Sequence, residues 1–147
     1  MGYRSEVRSL IYGPPDKVQA FWVKHKLLNN PALEGFGQDL SRYDVDSGDG
    51  VSVIDLWGDS WKWYEDYPDV AGWMAMLHEI DDELPGTEEL NYEFARVGED
   101  HNDIEFDTGG PDVQYWLGFN RAIAADIPTK LKDETDGIND EVTESQG

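Results

Sequence analysis

Residues 68–94 read PDVAGWMAMLHEIDDELPGTEELNYEF, and this stretch decides the fold. Val70, Trp73, Leu77, Ile80 and Leu84 recur at spacings of three and four, the pattern of a helix with one apolar stripe. Pro68-Asp69 opens it, because proline at a helix start wastes no hydrogen bond and an acid suits the positive end of the helix dipole. Pro85-Gly86 closes it, predicting a helix over about residues 69–84. The period then changes. Leu90, Tyr92 and Phe94 alternate with Asn91 and Glu93, as in a half-buried strand.

The same change of period occurs upstream in reverse order. Tyr3 to Tyr12 reads as a strand with Tyr3, Val7 and Ile11 inward, ended by Gly13-Pro14-Pro15. Residues 16–29 read as a helix with Val18, Phe21, Trp22, His25 and Leu28 on its stripe, stopped by Asn29-Asn30-Pro31. Residues 32–39 form a loop. Leu40 to Val45 and Val51 to Trp57 are strands around the turn Asp46-Ser47-Gly48-Asp49-Gly50, and Ser60 to Tyr64 adds a short strand or extended edge.

Strand, helix, strand, strand, helix, strand is the order of an α+β, ferredoxin-like split βαβ sandwich. Its antiparallel sheet carries two helices on one face. Two further strands follow and would widen the sheet. Asn102 to Asp107 is short, and Val113 to Ile123 places Val113, Tyr115, Leu117 and Phe119 on one face and Trp116 on the other. A single domain over residues 1–125 is expected, with residues 126–147 an acidic tail poor in apolar residues and expected to be disordered.

Charge is the other dominant feature. There are 32 acids against 11 Lys plus Arg, a formal net charge of -21 over 147 residues. Residues 1–38 hold 5 Lys and Arg and 3 acids, whereas residues 39–147 hold 6 and 29, so the acidity belongs to one part of the fold. Such a charge opposes compaction by self-repulsion and excludes direct nucleic-acid binding, which needs Lys and Arg to neutralise phosphates. Adaptation to high salt also enriches Asp, but it would not leave the first quarter near neutral. With 6 Trp, 7 Tyr and 5 Phe the chain has ample material for a core. It has no Cys, which excludes disulfides and thiolate sites. MGYRSEVRSLIYG is too polar for a signal peptide, and no apolar run reaches membrane-spanning length. A soluble cytoplasmic protein with no membrane association is expected.

Two groups of residues are candidates for partner binding. Trp57, Trp61, Trp63, Tyr64 and Tyr67 are interleaved with Asp55, Asp59, Glu65 and Asp66. Residues of opposite parity cannot all face inward from a regular strand, so part of the cluster is expected at the surface. An exposed ring among acids suits a protein interface and can take arginine by cation–π contact. The second group is Asp81, Asp82, Glu83, Glu88, Glu89, Glu93, Glu99, Asp100, Asp103, Glu105 and Asp107, at a helix end, in turns and on polar strand faces. Carboxylates there recur at about 5–7 Å, enough to imitate part of the phosphate array of DNA.

Other constellations are weaker. Asp44, Asp46 and Asp49 flank a glycine-rich turn but do not match the EF-hand spacing. His25 belongs to a helix stripe, His78 to the polar border of the second helix, and His101 to a turn beside Asp103 and Glu105. Arg96 and Arg121 are rare cations within acidic sequence. They read as neutralising cross-strand neighbours such as Glu93 or Glu105, or as an anion pocket if they converge. No HExxH, Walker A, GxGxxG or GxSxG pattern occurs, so no catalytic residue, cofactor or metal is assigned.

MGYRSEV at 1–7 and YEFARVGEDHNDIEFD at 92–107 resemble a family of small uncharacterised phage and prophage proteins. These open on a similar Gly-Tyr-Arg-Ser strand and carry an Arg-(Val/Ile)-Gly-Glu-Asp segment. The resemblance covers most of residues 1–123, and the acidic extension from Asp126 stands outside it. It carries over no catalytic residue. It implies a context in which small acidic proteins act on host machinery, including as DNA mimics that block restriction, CRISPR, nucleoid or transcription proteins.

The expected function is an acidic, non-enzymatic inhibitor that occupies the basic DNA- or RNA-binding surface of a host protein. The alternatives are a metal-dependent enzyme built on a carboxylate site, and a structural or regulatory domain whose charge serves solubility alone. A homodimer would align two acidic faces into a longer surface, but no segment specifies one.

Overall fold

The computed structural model describes residues 3–27, 30, 36, 39–45, 50–100, 102–120 and 122–128. The chain runs β1 (Ser5–Gly13), α1 (Pro15–Lys24), β2 (Leu40–Val45), β3 (Val51–Trp61), α2 (Pro68–Asp81), β4 (Asn91–Gly98), β5 (Ile104–Gly109), β6 (Leu117–Asn120) and β7 (Ala122–Ala125). The first five strands form one antiparallel sheet in the order β2-β3-β1-β4-β5. This is the split βαβ, ferredoxin-like arrangement, with β5 added beside β4.

The alternation of β1 builds two cores. Val7 and Ile11 join Ile54, Leu56, Tyr92 and Phe94 beneath Phe21 of α1 and Trp73, Leu77 and Ile80 of α2. The indole N–H of Trp73 reaches through this layer to donate to Ser9 Oγ at 3.0 Å, so the buried indole is satisfied. Leu10 and Tyr12 point the other way, into a smaller core with Tyr43, Val45, Val53, Ala95 and Leu117. The expected extra strands therefore divide in two. β5 widens the sheet, whereas β6 and β7 form a separate hairpin associated with the face opposite the helices.

The expected strand over Val113–Ile123 is replaced by an irregular segment and that hairpin. Three hydrogen bonds take its backbone away from a ladder. Gln114 N–H donates to Tyr12 Oη at 2.7 Å, and Trp116 and Leu117 N–H donate to the Glu93 carboxylate at 3.0 and 2.8 Å. Tyr115 takes φ 58°, which no extended strand contains, and its side chain is exposed, while Trp116 stacks on Tyr12 at 4.3 Å. Beyond β7, Asp126 N–H donates to Trp116 O at 2.7 Å and Ile127 packs against the smaller core.

Both helices end earlier than the apolar stripes imply. Lys26 (φ 53°) and Glu83 (φ 57°) adopt the left-handed conformation, and Leu27 and Leu84 N–H bond back to Trp22 O and Glu79 O. Those are the hydrogen bonds of a Schellman closure, made here without glycine. Leu84 is consequently exposed and outside the helix, ahead of the Pro85-Gly86 stop. Tyr3 lies outside β1 and is exposed rather than inward. Leu28, Asn29 and Pro31, most of the 32–39 loop, the Asp46–Asp49 turn, His101, Arg121 and the tail from residue 129 lie outside the described residues.

β3 runs on through Trp61, and its pairing with β1 slips between Val7↔Gly58 and Ser5↔Trp61. One extra residue on β3 reverses the parity of the strand. A Cβ at Gly58 would stand 2.1 Å from the Trp61 ring, so glycine there lets that ring fold back over the strand.

A candidate acidic interface along β5

The bulge divides the aromatic cluster. Beyond it Trp61 and Trp63 turn to the helix face, where they stack on Phe36 at 5.1 and 5.7 Å and on each other at 5.6 Å. Trp63 is buried there. Trp57, before the bulge, faces the opposite side and is 50% exposed. Its ring lies 4.5 Å from the Arg8 guanidinium, and its N–H donates to Glu6 Oε2 at 3.2 Å. Tyr64 and Tyr67 meet edge-on at 5.1 Å ahead of α2, with Tyr64 Oη accepting from Tyr3 N–H at 2.7 Å. The five aromatics thus occupy three places and form no common surface.

The acidic set is brought together, with one exception. Glu93 is fully buried on the face opposite the helices. Its carboxylate accepts Tyr12 Oη–H at 2.6 Å besides the amides of Trp116 and Leu117, so it anchors the C-terminal segment and contributes nothing to an exposed array. The others line β5 and its two ends. Glu99 and Asp100 are exposed in the turn before β5, Glu105 and Asp107 are exposed on β5, and Asp81, Asp82, Glu83, Glu88 and Glu89 are exposed where α2 returns to β4.

Arg96 is a cation within this strip. Its guanidinium donates to both oxygens of Asp103 at 3.1 and 2.7 Å, to Glu105 Oε1 at 2.5 Å, and to Ser5 Oγ at 3.0 Å. These bonds raise its pKa and hold the Asp103 carboxyl below its ordinary range, with a further bond from Tyr3. Arg96 neutralises Glu105 across the strand, as its position suggests, and not Glu93, which points to the other face. On the same side, Tyr92 Oη donates to Asp107 at 2.9 Å. Burial first, and then Asp107, Asp81 and Asp82, push the Tyr92 phenol up. Carboxylates from α2 and β5, distant in sequence, therefore act on one hydroxyl.

Two cavities flank the strip. One of about 460 Å³ lies between α2 and β5, with Glu65, His78, Glu105 and Asp107 in its wall over Met74 and Phe94. Another of about 590 Å³ lies where the α2–β4 connection meets the end of β5, walled by Asp81, Glu83, Glu88 and Glu89. Glu88 is held acidic chiefly by backbone N–H groups, its own and that of Gly86, with Lys17 adding attraction.

No three His, Asp or Glu side chains among the described residues converge to hold a metal ion. Asp44 accepts from Ser52 Oγ, and the remainder of its turn lies outside the described residues. His25 packs on Phe21 at 4.5 Å and meets Glu79 at 3.2 Å, as a satisfied packing residue does. No helix among the described residues is long and apolar enough to cross a membrane.

Sequence reasoning missed one buried site. Asp55 is held by Arg8, Nε to Oδ1 at 3.1 Å and Nη2 to Oδ2 at 2.6 Å, and Tyr43 Oη donates to Oδ2 at 2.5 Å. The available signal was an acid in the middle of the apolar run VSVIDLW, where no turn explains it. Comparison with protein-family models, curated proteins and solved structures finds no match, so the chemistry of the site rests on its own geometry.

Proposed function

We propose that this protein is an acidic binding module that occupies the basic, nucleic-acid-binding surface of a partner protein. The observation carrying this reading is the continuity of exposed carboxylates from Glu99 and Asp100 along β5 to Asp81 and Glu88. The buried acids Asp55 and Glu93 are kept apart on the other face. Among the described residues the cations near the strip do not cancel it: Arg96 pairs with two of its acids, and Lys17 reaches Glu88 at 4.0 Å. Long-range attraction would then speed encounter and make it salt-sensitive. The partner proposed is a host protein in the cytoplasm, with no nucleic acid or membrane contacted directly.

The test is capture from host lysate with the tagged protein, followed by elution with duplex DNA and with rising salt. Release of a nucleic-acid-binding protein by DNA supports the proposal. Charge reversal at Glu88, Glu89, Glu99, Asp100 and Glu105 together should abolish capture. Undiminished capture by that variant would sink the proposal.

A further inference from the structure

β5 ends the sheet. Among the described residues no strand pairs with its outer edge. Which backbone groups lie on that edge follows from the ladder. Gly98 N–H donates to Asp103 O at 2.8 Å, and pairing continues in register from Val97↔Ile104 to Tyr92↔Gly109. Antiparallel pairs alternate between bonded and non-bonded. Glu105 and Asp107 therefore bond to β4, and the N–H and C=O groups of Ile104, Phe106 and Thr108 point outward. The side chains of those residues share one face, where Ile104 is 46% and Phe106 41% exposed and Phe106 meets Phe119 edge-on at 6.0 Å. Glu105 and Asp107 are on the other face, on the wall of the 460 Å³ cavity.

We propose that the outer edge of β5 receives an extended segment of the partner as an added strand. This segment alternates Lys or Arg toward the helix face with apolar residues on the opposite face. The proposal rests on the acidic-module reading and names the part of the partner that is recognised. Main-chain bonds to Ile104, Phe106 and Thr108 give affinity, and alternate side chains give specificity. Basic side chains enter the cavity toward Glu65 and Asp107, beside the Glu105 already paired with Arg96, while apolar ones cover Ile104, Phe106 and Phe119. A second copy of this chain fits poorly. Two-fold pairing about Phe106 sets Glu105 opposite Asp107 twice, and directly opposed like charges destabilise a sheet.

The probe is a blocked peptide alternating Lys and Val, about eight residues long, the length of an ordinary strand. Binding is followed by calorimetry and by amide hydrogen exchange of the wild-type protein. The expected result is binding with slowed exchange at Ile104, Phe106 and Thr108, and none with a Glu-Val peptide. Thr108→Pro removes an outward N–H that the native sheet does not use and should weaken binding at least about tenfold. Binding without protection of those three amides, or undiminished in Thr108→Pro, overturns strand addition. Self-association that Thr108→Pro removes overturns it too, by making a second copy the occupant. If the peptide fails to bind while DNA-displaceable capture from lysate persists, strand addition is wrong and the acidic module stands; loss of both removes the module as well.

Discussion

Asp55 and Glu93 lie on either side of Leu10, one on each neighbouring strand, and both face the side of the sheet away from the helices. They are the two carboxylates among the described residues that are nearly or wholly shielded from solvent. Their solutions differ. Asp55 is balanced by a guanidinium, Arg8, which in turn packs on Trp57. Glu93 is held by neutral donors, a phenol and two backbone amides. A buried acid without such partners would cost several kcal/mol, so each is a point where the chain is bound to one structure.

Replacing Glu93 by alanine leaves the amides of Trp116 and Leu117 without their acceptor. The cost should be about 3 kcal/mol or more, and Glu93→Gln, which keeps one acceptor oxygen, should cost less. Urea unfolding measures both. Limited proteolysis should show new cleavage between Val113 and Leu117 in the alanine variant if the carboxylate anchors this segment.

The two tryptophans separated by the bulge should behave oppositely. Trp63→Ala opens the stacked layer beneath α2 and should cost about 3–5 kcal/mol. Trp57→Ala removes a half-exposed ring, its contact with Arg8 and its exposed hydrogen bond to Glu6, together worth about 1–2 kcal/mol. Thermal unfolding of the pair checks this. Equal losses would mean that the strand keeps its parity past Gly58.

Glu83 ends α2 in a left-handed conformation that costs a non-glycine residue about 1–2 kcal/mol. Glu83→Gly should therefore raise the stability by about 1 kcal/mol in urea unfolding. A loss instead would show that the Glu83 side chain stabilises this turn by more than the strain it imposes.

Three tyrosines should resist alkali. Burial pushes the phenols of Tyr12, Tyr43 and Tyr92 up, and the acceptors Glu93, Asp55 and Asp107 add to it. In the unfolded chain they ionise near about pH 10. The fold therefore keeps protons that the unfolded chain releases. This contribution to stability is complete below that pH and is lost as pH rises above it. Phenolate absorbance should show these three titrating only with unfolding, and denaturant midpoints should fall over the same range. Ionisation of every tyrosine in the still-folded protein would contradict their placement.

Much of the fold was legible because its elements carry their period in the sequence. Val70, Trp73, Leu77 and Ile80 could form a stripe only as a helix, and Leu90, Tyr92 and Phe94 a face only as a strand. Leu40–Val45 begins and ends where its flanking residues suggest. The helix ends are not legible, because Lys26 and Glu83 close them without glycine, a choice made by backbone hydrogen bonds and not by residue type. The acidic strip was half legible. Its members could be named, but Glu93 has the same alternation as an exposed acid and differs only in what covers it.

By itself the sequence determined the local periods, hence the α+β order of elements, and the net charge with its concentration after residue 38. These depend on neighbouring residues and on composition. Tertiary structure alone decided which carboxylates are surface and which are anchors, which tryptophans are core, and that the last segment covers the sheet instead of widening it. Each of those outcomes depends on partners distant in the chain, Glu93 with Leu117 and Asp55 with Arg8. A buried charge is stable only where its partner arrives, and local sequence does not encode that arrival.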